Sequence, residues 1–159
     1  MKVSPDPGAD RPTDFVTVLN LVLADECLVY TKTRNYCGNV ASPQFQEFHV
    51  LFEKQYDELS GIIDEISERI RALGGQAMST MSEFLQHTQL EEHPVGHPSP
   101  ARMIGHLLDD HQAVIRSLRG DMAACTGEVD DAGIQDFLAS LIEGHERMEQ
   151  TLRAHLENS

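Results

Sequence analysis

Paired start and stop signals for helices divide this chain into a few long segments, and they constrain its fold more than any other feature. A serine followed by proline, typical of a helix N-cap and first turn, occurs at Ser42-Pro43 and again at Ser99-Pro100. Gly38 and the pair Gly74-Gly75 are natural helix stops. The sequence has no Asn-Gly or Asp-Gly hairpin turn and little period-two alternation, so it predicts an all-α fold.

These signals predict four long helices and one short helix. Thr80 and Glu83 have the spacing of a capping box, which is a start signal for the short helix. Each long helix would measure roughly 35 to 45 Å at 1.5 Å per residue, which describes a four-helix bundle. The helices are expected at about residues 13–37, 43–73, 80–87, 100–126 and 134–156.

The remaining segments are predicted to be irregular. Residues 1–12 hold three of the seven prolines and are expected to form an arm, which leaves residues 13–159 as one domain. Residues 127–133 are expected to form an acidic turn between the last two helices.

Charge and cysteine content limit the classes of partner. With 12 Lys and Arg against 26 Asp and Glu, the net charge is -14, which disfavours nucleic acid and anionic membranes and favours cations. Three cysteines are too few for a disulfide framework. The chain shows neither a run long enough to cross a bilayer nor a secretory signal, so we expect a protein of the reducing cytoplasm.

The first predicted helix is apolar over more of its circumference than a bundle helix needs. Apolar side chains fill most positions from Phe15 to Tyr30, whereas one apolar stripe is enough to pack against a bundle core. The wide arc favours a second buried face and therefore an oligomer, and the alternative is a thick core within one chain.

Carboxylates and a histidine on the second predicted helix suggest a shared cation site. Asp64 and Glu68 are four residues apart and lie on one helix face. His49 lies on a similar side, but 15 residues separate it from Asp64, or roughly 22 Å along the axis. His49 could meet the two carboxylates only across a two-fold axis between two chains. Such a mixed nitrogen and oxygen site suits Fe, Mn or Zn; the alternative is a solvated acidic face.

The segments that carry these residues resemble a known family. The stretch LADECLVYTKTRNYCGNV, followed by FHVLFEKQYDELSGIIDEISERIRALGG, resembles the Dps family, ferritin-like proteins named for DNA protection in starved cells. The resemblance implies a ferritin-like four-helix bundle with a short extra helix in the connection between the second and third long helices. It also implies a hollow dodecamer that oxidises Fe(II), usually with hydrogen peroxide, at sites shared by two-fold-related subunits and stores the mineral.

Three of the four metal ligands of the family have matching residues in this sequence, and the fourth does not. The second histidine of the family falls on His49, and its aspartate and glutamate fall on Asp64 and Glu68. Where the family reads N-Y-H-W-N-V, this chain has Cys37 in place of the histidine and Gly38 in place of the tryptophan.

This departure leaves three outcomes open. Cys37 is a ligand in a modified centre, the other three residues bind metal without it, or the oxidation chemistry is lost. The alternatives to a ferroxidase are therefore a catalytically impaired metal-binding shell and a redox-sensing scaffold based on Cys37.

Acidic residues near the last predicted turn are candidates for an iron uptake pore. Acids near this position line three-fold pores in the family, and focused negative potential raises the local cation concentration. The residues are Glu128, Asp131 and Asp136.

The terminal arm gives little support for DNA binding. Lys2 and Arg11 are balanced by Asp6 and Asp10, so the arm offers little affinity from counterion release. We therefore expect no DNA binding at physiological salt.

Two histidines are predicted to point into the bundle. His111 and His145 share helix faces with apolar residues, so they should be core histidines that bond to a buried acid, amide or water, and a second site there stays open. The chain has no E-x-x-H motif of the kind that builds a carboxylate centre inside ferritin bundles.

Overall fold

The computed structural model describes residues 14–41, 43–94, 96, 98–125 and 131–157, with the side chains of residues 131 and 132 left out. Within these ranges the chain contains helices and no strand, which confirms the all-α prediction. The predicted arm, residues 1–12, lies outside the described residues. The helices are α1 (Phe15–Asn39), α2 (Phe45–Ala72), α3 (Met81–His87), α4 (Pro100–Ala124) and α5 (Asp131–Glu157).

Several helix ends form as the sequence predicts. The Thr80 side chain accepts from the Glu83 backbone while the Glu83 carboxylate accepts from the Thr80 N–H, which completes a capping box at the start of α3. The Ser99 hydroxyl caps α4. At the end of α2, Gly74 has φ 82° and the amide of Gly75 donates to the carbonyl of Ile70, so the glycine pair terminates the helix in a Schellman arrangement.

Three predicted boundaries are wrong. Gly38 does not stop α1, which continues to Asn39 and ends in the extended residue Val40. Pro43 lies in a turn before α2, because Gln44 has a non-helical backbone and the helix begins at Phe45. The last helix begins at Asp131 and so includes residues 131–133 of the predicted acidic turn; acidic residues are favourable in the first turn of a helix.

The helices pack in antiparallel pairs around two clusters of buried apolar side chains. Helix α1 packs against α2, and α4 packs against α5. The core is closed by fully buried apolar side chains from all four long helices, among them Leu23, Phe52, Leu59, Leu118 and Leu138. No described helix combines the length and apolar character that a membrane crossing needs.

The second face of α1 is covered by the same chain. The segment from Gln76 to Glu91, which contains α3, lies over this face and is held by polar side chains of α1. Part of the wide apolar arc is therefore buried within one chain, and oligomerisation has to be argued from other observations. The bonds run from Asn20 to Gln76 and Met78, from Asp25 to Thr88 and Gln89, and from Lys32 to Glu91.

Candidate metal-binding site

The end of α1 and the start of α2 bring Cys37 and His49 together. Nδ1 of His49 lies 3.1 Å from the carbonyl oxygen of Cys37 and 3.4 Å from its Sγ, and the thiol donates to the carbonyl of His49 at 3.5 Å. Because a carbonyl oxygen only accepts, the Nδ1 atom carries the ring hydrogen in this arrangement. When the ring is neutral, its lone pair is therefore on Nε2.

Nε2 of His49 faces a carboxylate that the sequence prediction missed. It lies 3.5 Å from Oε2 of Glu53, one helical turn further along α2, and the two side chains are 36% and 49% exposed. Either a proton on Nε2 or a cation between the two atoms makes this contact favourable. A metal ion with bonds of about 2.1 Å to both atoms fits the gap at a near-tetrahedral angle. The i,i+4 spacing of His49 and Glu53 was the available sequence signal.

Asp64 and Glu68 occupy a different part of α2. Both are exposed on one face of the helix, and neither forms an ion pair or side-chain hydrogen bond with the described residues. Asp64 stands roughly 22 Å and Glu68 roughly 28 Å along the helix from His49. Among the described residues no three His, Cys, Asp or Glu side chains are placed to hold one ion. One chain therefore presents two separate groups of ligands.

The Cys37 thiol is protonated and faces away from the lone pair of His49. Its side chain is buried, and burial raises the pKa of Cys37, with the nearby carboxylates of Glu53 and Asp57 adding to the shift. Its sulfur contacts the Nδ1 edge of His49, on the opposite side of the ring from Glu53.

Aromatic rings line this group of side chains. The ring of Phe45 stacks on His49 with centroids 5.3 Å apart, and Tyr30 and Tyr56 meet edge to face at 6.1 Å. Burial, followed by the charge of Glu53, raises the pKa of Tyr56, which keeps its phenol neutral. The stacked ring of Phe45 restricts the positions that His49 can adopt.

The structure describes only part of the predicted pore. Glu128 lies outside the described residues, and the side chain of Asp131 is not described although its backbone begins α5. Asp136 is exposed on α5, where its carboxylate can face solvent.

The two inward-facing histidines are buried core residues, as predicted; His145 contacts a buried acid, whereas His111 contacts His145 and not an acid or amide of the described residues. Nε2 of His145 lies 2.6 Å from Oε1 of the buried Glu26, and the Nδ1 atoms of His111 and His145 are 2.8 Å apart. The bonding partner Glu26 was not predicted, since it lies on α1 and 119 residues away in sequence.

Comparison with known proteins assigns this architecture to a class. A family model described as a ferritin-like domain matches residues 16–159, so the bundle is that of a ferritin-like protein. Solved structures agree: Dps from Bacillus brevis superposes with a TM-score of 0.82 at 30% identity, covering 89% of this chain and 93% of that one. Dps from Vibrio cholerae O1, described as a member of a broad superfamily of ferritin-like diiron-carboxylate proteins, gives 0.82 at 29% identity, covering 89% and 87%.

Sequence relatives narrow the class to one family. DNA protection during starvation protein 2 of Bacillus anthracis is 33% identical over 89% of this chain and 95% of its own length. The uncharacterized low temperature-induced protein all0458 of Nostoc sp. (strain PCC 7120 / SAG 25.82 / UTEX 2576) is 40% identical over 89% and 79%. The chain belongs to the Dps family, whose members serve iron storage and protection under stress.

Proposed function

We propose that the protein oxidises Fe(II) at a site shared by two subunits and retains the Fe(III), which protects the cell against peroxide stress. The observation that carries this proposal is the separation of the ligands within one chain. His49 and Glu53 form one half-site, and Asp64 and Glu68 form another on the same rigid helix. A two-fold axis between two copies would complete both halves at once.

The ligand types suit iron as the substrate. Carboxylate oxygens of Asp64 and Glu68 stabilise Fe(III) relative to Fe(II), and Nε2 of His49 completes a site with positions open for oxidant. Two Fe(II) ions each give one electron to hydrogen peroxide, which takes up two protons and leaves as two water molecules; oxygen is the alternative oxidant. Zn and Mn are competing ions for the same ligands.

Cys37 is a further candidate ligand, but its geometry favours a role in orienting His49 over direct binding of the metal. The thiol contacts the Nδ1 edge of His49, while the metal would bind at Nε2. Direct coordination by Cys37 requires a different rotamer of the thiol. Its raised pKa also disfavours the redox-sensing scaffold, because the thiolate is the reactive form.

Assembly is part of the proposal. Met81 and Leu85 on α3 are 71% and 46% exposed one helical turn apart, and Phe45 is exposed beside His49. Such apolar side chains suit contacts between subunits. We propose a homo-oligomer built from two-fold dimers, and a dodecamer of 17.7 kDa chains would elute near roughly 210 kDa.

The proposal also covers uptake, compartment and DNA. Glu128, Asp131 and Asp136 would line an acidic path for Fe(II), and the free cysteines suit the cytoplasm. The charge balance of the arm argues against DNA binding.

A second function, a metal-binding shell without turnover, is favoured by one observation. The replacement of the family histidine by Cys37 removes a nitrogen ligand. Peroxide-driven Fe(II) oxidation separates the two functions, because a shell would bind Fe(II) without exceeding the rate of the protein-free control.

Mixed assemblies test whether the site is shared. The variants His49→Ala and Asp64→Ala/Glu68→Ala should each be inactive as pure preparations. When the two are refolded together, about half of the dimers contain one of each, and each of these has one intact site of two. The mixture should recover about a quarter of the wild-type activity.

A matched control tests whether the loss of any carboxylate on this part of α2 lowers activity. Glu65 is exposed beside Asp64, and Glu65→Ala should keep wild-type activity. Failure of the mixture to exceed its pure components would rule out a shared site, and a wild-type rate equal to the protein-free control would rule out the ferroxidase.

A further inference from the structure

A tyrosine and a histidine form a hydrogen-bonded pair between α1 and α4. Tyr36 of α1 is 1% exposed, and its hydroxyl oxygen lies 2.7 Å from Nδ1 of His106 of α4. This distance is at the short end of the range for such hydrogen bonds. His106 is only partly buried, and its ring stacks on that of His93 with centroids 3.9 Å apart. The buried phenol is therefore joined to a ring that reaches solvent.

The tyrosine is the donor in this hydrogen bond. A buried hydroxyl needs an acceptor, and among the residues that the structure describes the Tyr36 hydroxyl meets that need at Nδ1 of His106. Burial, followed by nearby cations, lowers the pKa of His106, so the ring is neutral at pH 7 and Nδ1 can carry its lone pair. The charged groups that act on this ring are the cations His93, Lys32 and Arg102 and the carboxylate of Asp109.

A phenol bonded to a base in this way can lose one electron in the core. Oxidation makes a phenol strongly acidic, so the electron leaves readily only when the proton leaves with it. Without an acceptor, the buried ring would keep an uncompensated positive charge. Here the O–H bond of Tyr36 can break as its proton moves to Nδ1 of His106, which leaves a neutral tyrosyl radical and an imidazolium.

The other two tyrosines lack this arrangement. The hydroxyl of Tyr30 accepts a hydrogen bond from Arg34 at 3.0 Å, so a cation lies beside its oxygen. Tyr56 meets Tyr30 edge to face, and among the described residues no basic side chain accepts from its hydroxyl. Because the chain has no tryptophan, Tyr36 is the aromatic side chain best arranged to give up an electron.

The pair also lies next to the half-site of His49 and Glu53. Tyr36 precedes Cys37 in α1, and the sulfur of Cys37 lies 3.4 Å from Nδ1 of His49. The ring of Tyr36 packs near that of Phe52, the residue before Glu53 in α2, with centroids 6.3 Å apart. Both helices therefore give an electron from Tyr36 a short path to the half-site.

We propose that Tyr36 supplies one electron to the shared site when Fe(II) is scarce, and that His106 takes up the phenolic proton. This role rests on the proposed function, because its oxidant is hydrogen peroxide at that site. Peroxide needs two electrons, so a single Fe(II) would leave a hydroxyl radical when the O–O bond breaks. Fe(II) gives the first electron and becomes Fe(III), and Tyr36 gives the second and becomes a neutral radical. Two protons from solvent complete two water molecules, and the proton of Tyr36 stays on His106.

Photochemical oxidation tests the pair without iron. In metal-free Tyr30→Phe/Tyr56→Phe protein, a flash-generated ruthenium(III) tris-bipyridine should take one electron and produce a tyrosyl radical, which adding Tyr36→Phe abolishes. The oxidation should be slower in deuterium oxide, because the proton moves with the electron. Adding His106→Gln should slow it at least about tenfold, since an amide accepts a hydrogen bond but not the proton. His87→Gln, an exposed histidine elsewhere, is the control and should not change the rate.

The deuterium effect is measured with both members of the pair intact, so it decides even if the His106 variant does not fold. Equal rates in the two solvents, or an unchanged rate in a folded His106→Gln protein, overturn the pairing.

Limiting Fe(II) tests the role at the shared site. With excess hydrogen peroxide and one Fe(II) per pair of subunits, the wild type should show a tyrosyl radical by electron paramagnetic resonance. Tyr36→Phe should lose this signal and release more hydroxyl radical, measured by hydroxylation of terephthalate in solution, whereas Tyr30→Phe should match the wild type. Fe(II) oxidation without a radical at Tyr36 overturns the role of the tyrosine alone. Oxidation no faster than the protein-free control overturns the ferroxidase and this role together, while the photochemical result on the pair stands separately.

Discussion

Nε2 of His49 lies 3.5 Å from Oε2 of Glu53, while the opposite edge of the same ring is closed by the backbone and thiol of Cys37. The imidazole is thus held in one orientation with its Nε2 atom directed at a carboxylate. This pairing is why we include Glu53 in the proposed metal half-site, and the spacing of the helix sets the distance between the two side chains.

Glu53→Gln is expected to weaken Fe(II) oxidation. The amide retains the shape of the side chain but loses the charge, and the loss of a ligand or of its support commonly costs 10- to 100-fold. We expect at least about a tenfold fall in rate at limiting Fe(II), with the melting temperature unchanged because the residue is half exposed. Glu65→Gln, on the same helix, is the control. A wild-type rate for Glu53→Gln would place the metal elsewhere.

Cys37→Ser is expected to leave Fe(II) oxidation within about threefold of wild type, because the thiol contacts the Nδ1 edge of His49 and the serine hydroxyl can still donate to the same carbonyl. Stopped-flow oxidation checks the rate. The raised pKa also predicts slow labelling of Cys37 by a thiol reagent at pH 7, followed by peptide mass spectrometry. A variant that folds normally and has lost turnover would instead identify Cys37 as a ligand.

The fold was largely predictable because its helix ends depend on local chemistry. Ser99 and the box of Thr80 with Glu83 act over one turn, which a sequence displays directly. The start of α2 was not predictable in the same way. Pro43 fits either the first turn of a helix or the turn before it, and the non-helical backbone of Gln44 shows that the second is the case.

The site was predictable only in part. Helical spacing showed that His49 could not meet Asp64 within one chain, and the resemblance to the Dps family showed that Cys37 replaces a histidine ligand of the family. Contacts between helices that are distant in sequence could not be predicted from helical spacing or from the resemblance. The bond between Glu26 and His145 depends on how α1 and α5 rotate against each other, which the packing of the whole core decides.

His106 is expected to make the protein less stable in mild acid. Its ring stacks on His93 with centroids 3.9 Å apart and bonds to the hydroxyl of Tyr36 at 2.7 Å. Burial, followed by the charges of His93 and Lys32, lowers the pKa of His106 from 6.5. Below about pH 6.5, His106 therefore binds a proton more readily in the unfolded chain than in the folded chain. As the pH falls through this range, the free energy of unfolding decreases by at most about 1.4 kcal/mol per pH unit.

Urea unfolding at pH 7.5 and 5.5 measures this effect. The loss of stability between the two values should be smaller in His106→Gln than in wild type, and His87→Gln, an exposed histidine, should match wild type. Equal pH dependence in all three proteins would show that His106 ionises equally well in both states.

The buried pair of Lys32 and Asp110 should show strong coupling on mutation. Nζ of Lys32 lies 2.6 Å from Oδ2 of Asp110 and also donates to the carbonyl of Glu91, which fixes the loop after α3 to the bundle. Burial raises the pKa of Asp110 in spite of the lysine, which shows how costly the desolvated charge is. Lys32→Met leaves that carboxylate unpaired and should cost about 3–5 kcal/mol of unfolding free energy.

Removing both charges tests the origin of that cost. Lys32→Met/Asp110→Leu replaces the pair by apolar side chains of similar size, so it should be more stable than Lys32→Met alone and should recover at least about 1 kcal/mol. Denaturant unfolding of wild type, both single variants and the double variant gives the coupling energy directly. Additive losses would mean that the bond from Lys32 to the Glu91 carbonyl, and not the ion pair, is what stabilises this end of the bundle.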